Sequence, residues 1–117
     1  MTATDQPTET FVVEGDFLIH HVVPRRGRPY DHRCPRASFE QIAHAAEELG
    51  EHGFTLKSLL KYEREAGRDV TFTNLAVTLA FLRERGMLEV RFRRNYAVTT
   101  NVHLDAMTEF YALAEDG

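Results

Sequence analysis

The sequence predicts a mainly α domain of the α+β kind, and three observations carry that prediction. Apolar residues recur at helical spacing in four segments: Phe39, Ile42, Ala43, Ala46 and Leu49; Leu56, Leu59 and Leu60; Leu75, Leu79 and Leu82; and Leu104, Met107, Phe110, Tyr111, Leu113 and Ala114. Between the third and fourth segments apolar and polar residues alternate from Met87 to Phe92 and from Tyr96 to Thr100, around a turn at Arg93-Arg94-Asn95, as in a half-buried hairpin. Ahead of all four helices, Phe11 to Val23 is rich in β-branched and aromatic residues and is interrupted by Glu14-Gly15-Asp16, so a strand or small hairpin is expected there.

Each element has its own punctuation. The first ten residues are polar and aperiodic and read as a disordered tail. Pro24, Gly27, Pro29 and Pro35 make the stretch from 24 to 36 an exposed loop. Ser38 is the expected N-cap of the first helix, with Gln41 completing a capping box, and Gly50 or Gly53 ends it. Thr55 caps the second helix, which exposes Lys57, Lys61, Glu63 and Arg64 and is broken at Gly67. The third starts at Thr71 or Thr73 and stops at Gly86, a residue that adopts a left-handed C′ conformation without steric cost. Asn101 precedes the fourth as its expected cap. The expected organisation is a tail over 1–10, an N-terminal strand and basic arm over 11–36, a helical and hairpin domain over 37–100, and a C-terminal helix over 101–117.

The chain has 117 residues, 43% of them hydrophobic, which suits one domain with a single core. No run of about 18 apolar residues is present to cross a bilayer, and the first ten residues lack the pattern of a signal peptide, so a cytoplasmic location without membrane contact is expected. One cysteine, Cys34, excludes an internal disulfide and a cysteine-rich zinc module. The net charge of −4 is unevenly spread. Residues 24–36 hold Arg25, Arg26, Arg28, Arg33 and Arg36 against Asp31, and residues 87–100 hold Arg91, Arg93 and Arg94 against Glu89. Both ends of the chain are acidic, so two basic islands stand on an acidic molecule.

Short enzymatic signatures are missing: no G-x-S-x-G, H-E-x-x-H, glycine-rich phosphate loop or C-x-x-C occurs, and no enzymatic activity or cofactor is expected. His20, His21, His32, Cys34 and His44 fall in one region, but strand alternation sends His20 and His21 to opposite faces, and no metal site is expected from them. Glu40 and His44, four apart, read as a surface pair.

The order helix, helix, turn, helix, hairpin, with Leu75-x3-Leu79-x2-Leu82-x3-Gly86-Met87-Leu88 leading into the hairpin, resembles the winged helix-turn-helix superfamily of bacterial DNA-binding regulators over about Ser38 to Thr100. The resemblance implies a winged-helix fold extended by the N-terminal strand or hairpin and by a C-terminal dimerisation helix. It places the third helix in the major groove, with reading positions at Thr73, Asn74, Val77 and Thr78, and the hairpin as a wing with Arg93-Arg94-Asn95 at its tip. The expected function is duplex DNA binding by a homodimeric transcriptional regulator, with Arg91, Arg93 and Arg94 on phosphates or in a narrow minor groove and Arg25, Arg26 and Arg28 as an arm along the backbone or minor groove. The third helix carries no Lys or Arg from Thr71 to Leu82. Val77 and Phe81 lie four apart on the side the core leucines leave outward, so the alternative is an interaction module whose Val77/Phe81 face docks a protein partner. For the last helix, Met107, Phe110, Tyr111 and Leu113 are the expected dimer-interface residues, Phe110 and Leu113 nearest the twofold axis.

Overall fold

The computed structural model describes residues 8–116. Their order is β1 (Thr8–Glu14), β2 (Phe17–Val23), β3 (Tyr30–Pro35), α1 (Arg36–Gly50), α2 (Leu56–Glu65), α3 (Phe72–Glu84), β4 (Leu88–Arg91), β5 (Arg94–Ala97) and α4 (Val102–Asp116). This is an α+β fold of four helices and two small antiparallel sheets, as the periodicity predicts. Two expectations are corrected at the N-terminal end. Residues 8–10 belong to β1, and only 1–7 of the expected tail lie outside the described residues. The 24–36 arm is not one loop, because Tyr30–Pro35 forms a strand.

That strand closes a three-stranded meander, β1-β2-β3, in which Val13, Leu18 and Cys34 stand side by side in one row and Phe11, His20 and His32 in the next. Alternation puts these rows on one face, and Phe11, Val13, Leu18 and Cys34 join the main core there. The β1–β2 connection is a two-residue turn, and Gly15 meets its need for positive φ (60°).

Because β3 runs on to Pro35, the chain enters α1 earlier than Ser38. Pro35 is the N-cap, its φ of −61° suited to a helix start, and no side chain caps the end. The Arg36 amide instead donates to the Asp16 carbonyl at 2.7 Å, which ties the helix start to the β1–β2 turn. The Ser38–Gln41 capping box is therefore not formed. The apolar face of α1 is as expected, with Phe39, Ile42, Ala43 and Ala46 fully buried.

Helix α2 is capped as predicted: the Thr55 hydroxyl accepts from the Ser58 amide at 3.0 Å, and the Thr55 amide donates to the Ser58 hydroxyl at 2.9 Å. One assignment is wrong. Glu63 is fully buried, not exposed, and its carboxylate accepts from the Arg68 guanidinium just past the helix end. Without that guanidinium a buried carboxylate would face a large desolvation cost.

Thr71 caps α3 through the Asn74 amide at 3.0 Å, and Gly86 takes φ 79° at its end, where the Met87 amide donates to the Leu82 carbonyl at 2.8 Å. The chain then folds directly into the β4–β5 hairpin. Here the expected turn is displaced. Arg91 pairs with Arg94, so the tip is Phe92-Arg93, with φ of 51° and 64°, and Asn95 is a strand residue. Asn95 is buried because Phe54, on the α1–α2 link, pairs with it through two backbone hydrogen bonds of 3.0 and 2.7 Å and makes a third rung beside the hairpin. Tight packing fixes the other side of the link: a Cβ on Gly50 would fall 2.6 Å from Ala97 Cβ.

The core lies between two layers, the meander on one side and α1 with α4 on the other, with α3 held between them. The ring of Phe81 meets Phe11 of β1 at 5.2 Å and Phe39 of α1 at 5.6 Å, both edge-on. Val77 and Phe81 are both 0% exposed. They are core residues, so the surface expected for them does not exist: helix α3 is covered on the side left outward by its leucines. Phe81→Ala should lower the free energy of unfolding by about 3–5 kcal/mol, read from urea unfolding. A change below about 1 kcal/mol would remove Phe81 from the centre of the core.

Candidate nucleic-acid interface

The two basic islands fold into two β-hairpin tips. In the first, Pro24 to Pro29 link β2 to β3 at the end of the meander where Val22 pairs with Tyr30. Arg25, Arg26 and Arg28 are all exposed there, and among the described residues no carboxylate pairs with them. Arg33, on β3, lies over the Phe17 ring at 5.9 Å. Arg36, counted with the island, is held by Asp16 at 3.3 Å and Glu40 at 3.7 Å and belongs to the α1 start.

The second tip is more committed to the protein itself. Arg91 pairs with Glu89 at 2.9 Å and lies over the Tyr96 ring at 4.2 Å. Arg94 donates to the Gly53 carbonyl at 2.8 Å, tying the hairpin to the α1–α2 link. Arg93 alone of the three has no polar partner among the described residues, since it sits in the turn rather than on a strand face beside Arg91. Next to it Phe92 is 90% exposed in the left-handed region, a conformation costly for a bulky side chain. Sequence reading missed Phe92, because it set the turn one residue later; the signal available was an aromatic flanked by arginines at a hairpin tip.

The proposed reading positions on α3 divide. Thr73 is exposed, and beside it Phe72 is 61% exposed. Asn74 is half-buried and its side-chain amide donates to the Arg33 carbonyl at 3.4 Å, which ties the helix start to β3. Thr78 is 0% exposed and its hydroxyl sits 3.5 Å from Cys34 Sγ, beneath the meander, so it is not available to a base or phosphate. The helix flank from Val77 to Phe81 is covered by β1 and β3, and the exposed side chains of α3 lie at its two ends, Phe72 and Thr73 in the first turn and Arg83 and Glu84 in the last.

The residues expected at a dimer interface also divide. Phe110 is 1% and Met107 9% exposed, both turned into the chain's own core, where Phe110 lies 5.3 Å from Phe39. They are not free to line a twofold axis. Tyr111 is half-exposed, Leu113 is partly buried against the core, and Leu104, one helical face with Tyr111, is 63% exposed.

The histidines of the meander do not converge. His20 bonds Glu9 at 2.6 Å and stacks on Phe11, while His21 bonds Asp31 on the opposite face. Cys34 is fully buried, and burial pushes its thiol up to about 11 while the Thr78 hydroxyl pulls weakly the other way. The folded state therefore favours the neutral thiol. That stabilisation is complete below the ordinary value of 9.0 and is lost as pH rises towards 11. Iodoacetamide at about pH 8 should leave Cys34 unmodified in the folded protein and label it fully in denaturant, read by intact mass. Rapid labelling of folded protein would mean that the meander lifts off α3. Comparison with protein-family models, with curated proteins and with solved structures gives no match for this chain.

Proposed function

We propose that the protein is a small winged-helix DNA-binding protein of regulator type that grips duplex DNA mainly through its phosphate backbone. The observation that carries this reading is the β2–β3 tip, where three guanidinium groups are exposed and, among the described residues, have no carboxylate partner. Unpaired arginines on a narrow projection can approach phosphates and release counterions with little loss of internal ion pairing. The wing adds Arg93 and the exposed Phe92, a pair of residue types that contact a phosphate and stack on or wedge between bases. The order α1, α2, turn, α3, β4–β5, with Phe54 as a third rung, supports the winged-helix reading. In this reading α3 offers only its first turn, Thr73 and Asn74 with the backbone amides there, so base recognition is slight and affinity is largely electrostatic.

The assembly assigned to this reading is a homodimer through the exposed strip of Leu104 and Tyr111, with Leu113 at its edge. Val77 and Phe81 are buried and present no face on which a protein partner could dock.

The replacement of Arg25, Arg26 and Arg28 together by Ala should flatten the slope of log K against log salt for mixed duplex DNA by up to about three units. Arg93→Ala should flatten it by about one unit, and Arg91→Ala by less, since Arg91 is already paired. An unchanged slope in the triple variant would remove the β2–β3 tip from the interface. Light scattering should give twice the chain mass for the wild type and the single chain mass for Leu104→Glu. A monomeric wild type would overturn the dimer.

A further inference from the structure

We infer that Glu40, His44 and His103 form a binding site for one divalent transition-metal ion of the zinc class. Glu40 and His44 stand one helical turn apart on the same side of α1, and the first turn of α4 brings His103 against them. One ligand atom from each of the three lies within 4.8 Å of the others. The His103 Nε2 is 3.1 Å from Glu40 Oε2, and the His44 and His103 rings stack with centroids 3.6 Å apart and planes within 13°. Among the described residues no other group of three such side chains converges in this way.

The donor set selects the ion. Two imidazole nitrogens and one carboxylate oxygen suit Zn²⁺, Co²⁺ or Ni²⁺, whereas Ca²⁺ and Mg²⁺ require mainly oxygen ligands. With metal–nitrogen bonds of about 2.0–2.1 Å, tetrahedral ligand atoms sit about 3.3 Å apart. Glu40 and His103 already meet that spacing; the stacked rings carry their nitrogen lone pairs side by side, so the exposed His44 turns out of the stack when the ion binds. The other two ligands are held in place. The Glu47 carboxylate accepts from the His103 amide at 3.1 Å and so fixes the start of α4, and Arg36 approaches the second oxygen of Glu40 at 3.7 Å. Glu47 and Glu48, one turn beyond His44, add negative charge beside the site, which offsets the Arg36 cation on Glu40. Three protein ligands leave one position for solvent, and the bound ion cross-links α1 to α4. None of these residues belongs to the basic tips, so the site stands independently of DNA binding.

The test uses the untagged full chain, freed of metal by a chelator. Co²⁺ should titrate to one equivalent with the visible absorption of a four- or five-coordinate ion, and Zn²⁺ should bind with the same stoichiometry by calorimetry and raise the melting temperature. His44→Ala, which removes only an exposed side chain, should weaken binding by at least about tenfold. His32→Ala, at an exposed histidine elsewhere, should leave it unchanged. Absence of saturable binding, equal binding by His44→Ala, or loss of binding in His32→Ala would each overturn the site and leave the trio as a polar clasp between two helices.

Discussion

Burial of α3 on both flanks is the constraint from which the rest of the structure follows. Leu75, Val77, Leu79, Phe81 and Leu82 are all inaccessible to solvent, and together they circle more of the helix than one packing partner covers. Large apolar side chains on two sides of one helix need cover on both sides, because each one left exposed forgoes about 1.5–3 kcal/mol of transfer free energy. The helical layer covers one flank, and the N-terminal meander supplies the other cover through Phe11, Leu18 and Cys34. Phe81 touches both layers, which makes its ring the joint between them.

This arrangement decides where recognition can occur. A helix enclosed by a sheet has no long free flank for a groove, and its one polar interior residue, Thr78, is occupied by the Cys34 sulfur. Positive charge is correspondingly absent from α3 until Arg83, while the two hairpin tips carry six arginines, Arg25, Arg26, Arg28, Arg91, Arg93 and Arg94. The two tips differ in how far the fold consumes their charge. In β4–β5, Arg94 anchors the hairpin to Gly53 and Arg91 is neutralised by Glu89. The Pro24–Pro29 tip has no such duty, and its guanidiniums remain available to a polyanion. Exposed ion pairs contribute little to stability, so the distinction matters for binding more than for folding.

At the opposite side of the core, α4 is drawn onto α1 by Phe110 against Phe39 and is seated by polar contacts along its first turn. The same contacts gather two imidazoles and a carboxylate at one point, a combination that apolar packing of two helices does not require. Glu40 and His44 looked like a surface pair because their partner is 59 residues away from His44 in the chain.

Local signals in the sequence determined the elements. Helical periodicity, the Thr55 and Thr71 caps and the Gly86 stop are interactions among near neighbours, and α2 and α3 form where those residues predict them, with a hairpin following whose turn lies one residue earlier than expected. The arginine islands and the opposite facing of His20 and His21 were legible for the same reason. The tertiary structure alone decided which faces are inside. Val77, Phe81, Thr78, Met107 and Phe110 acquire their roles from strands and helices distant in sequence, and the early entry into α1 at Pro35 follows from pairing of β3 with β2. Helical spacing states that a stripe is apolar, but only the complete set of packing partners determines whether that stripe is covered by the chain itself.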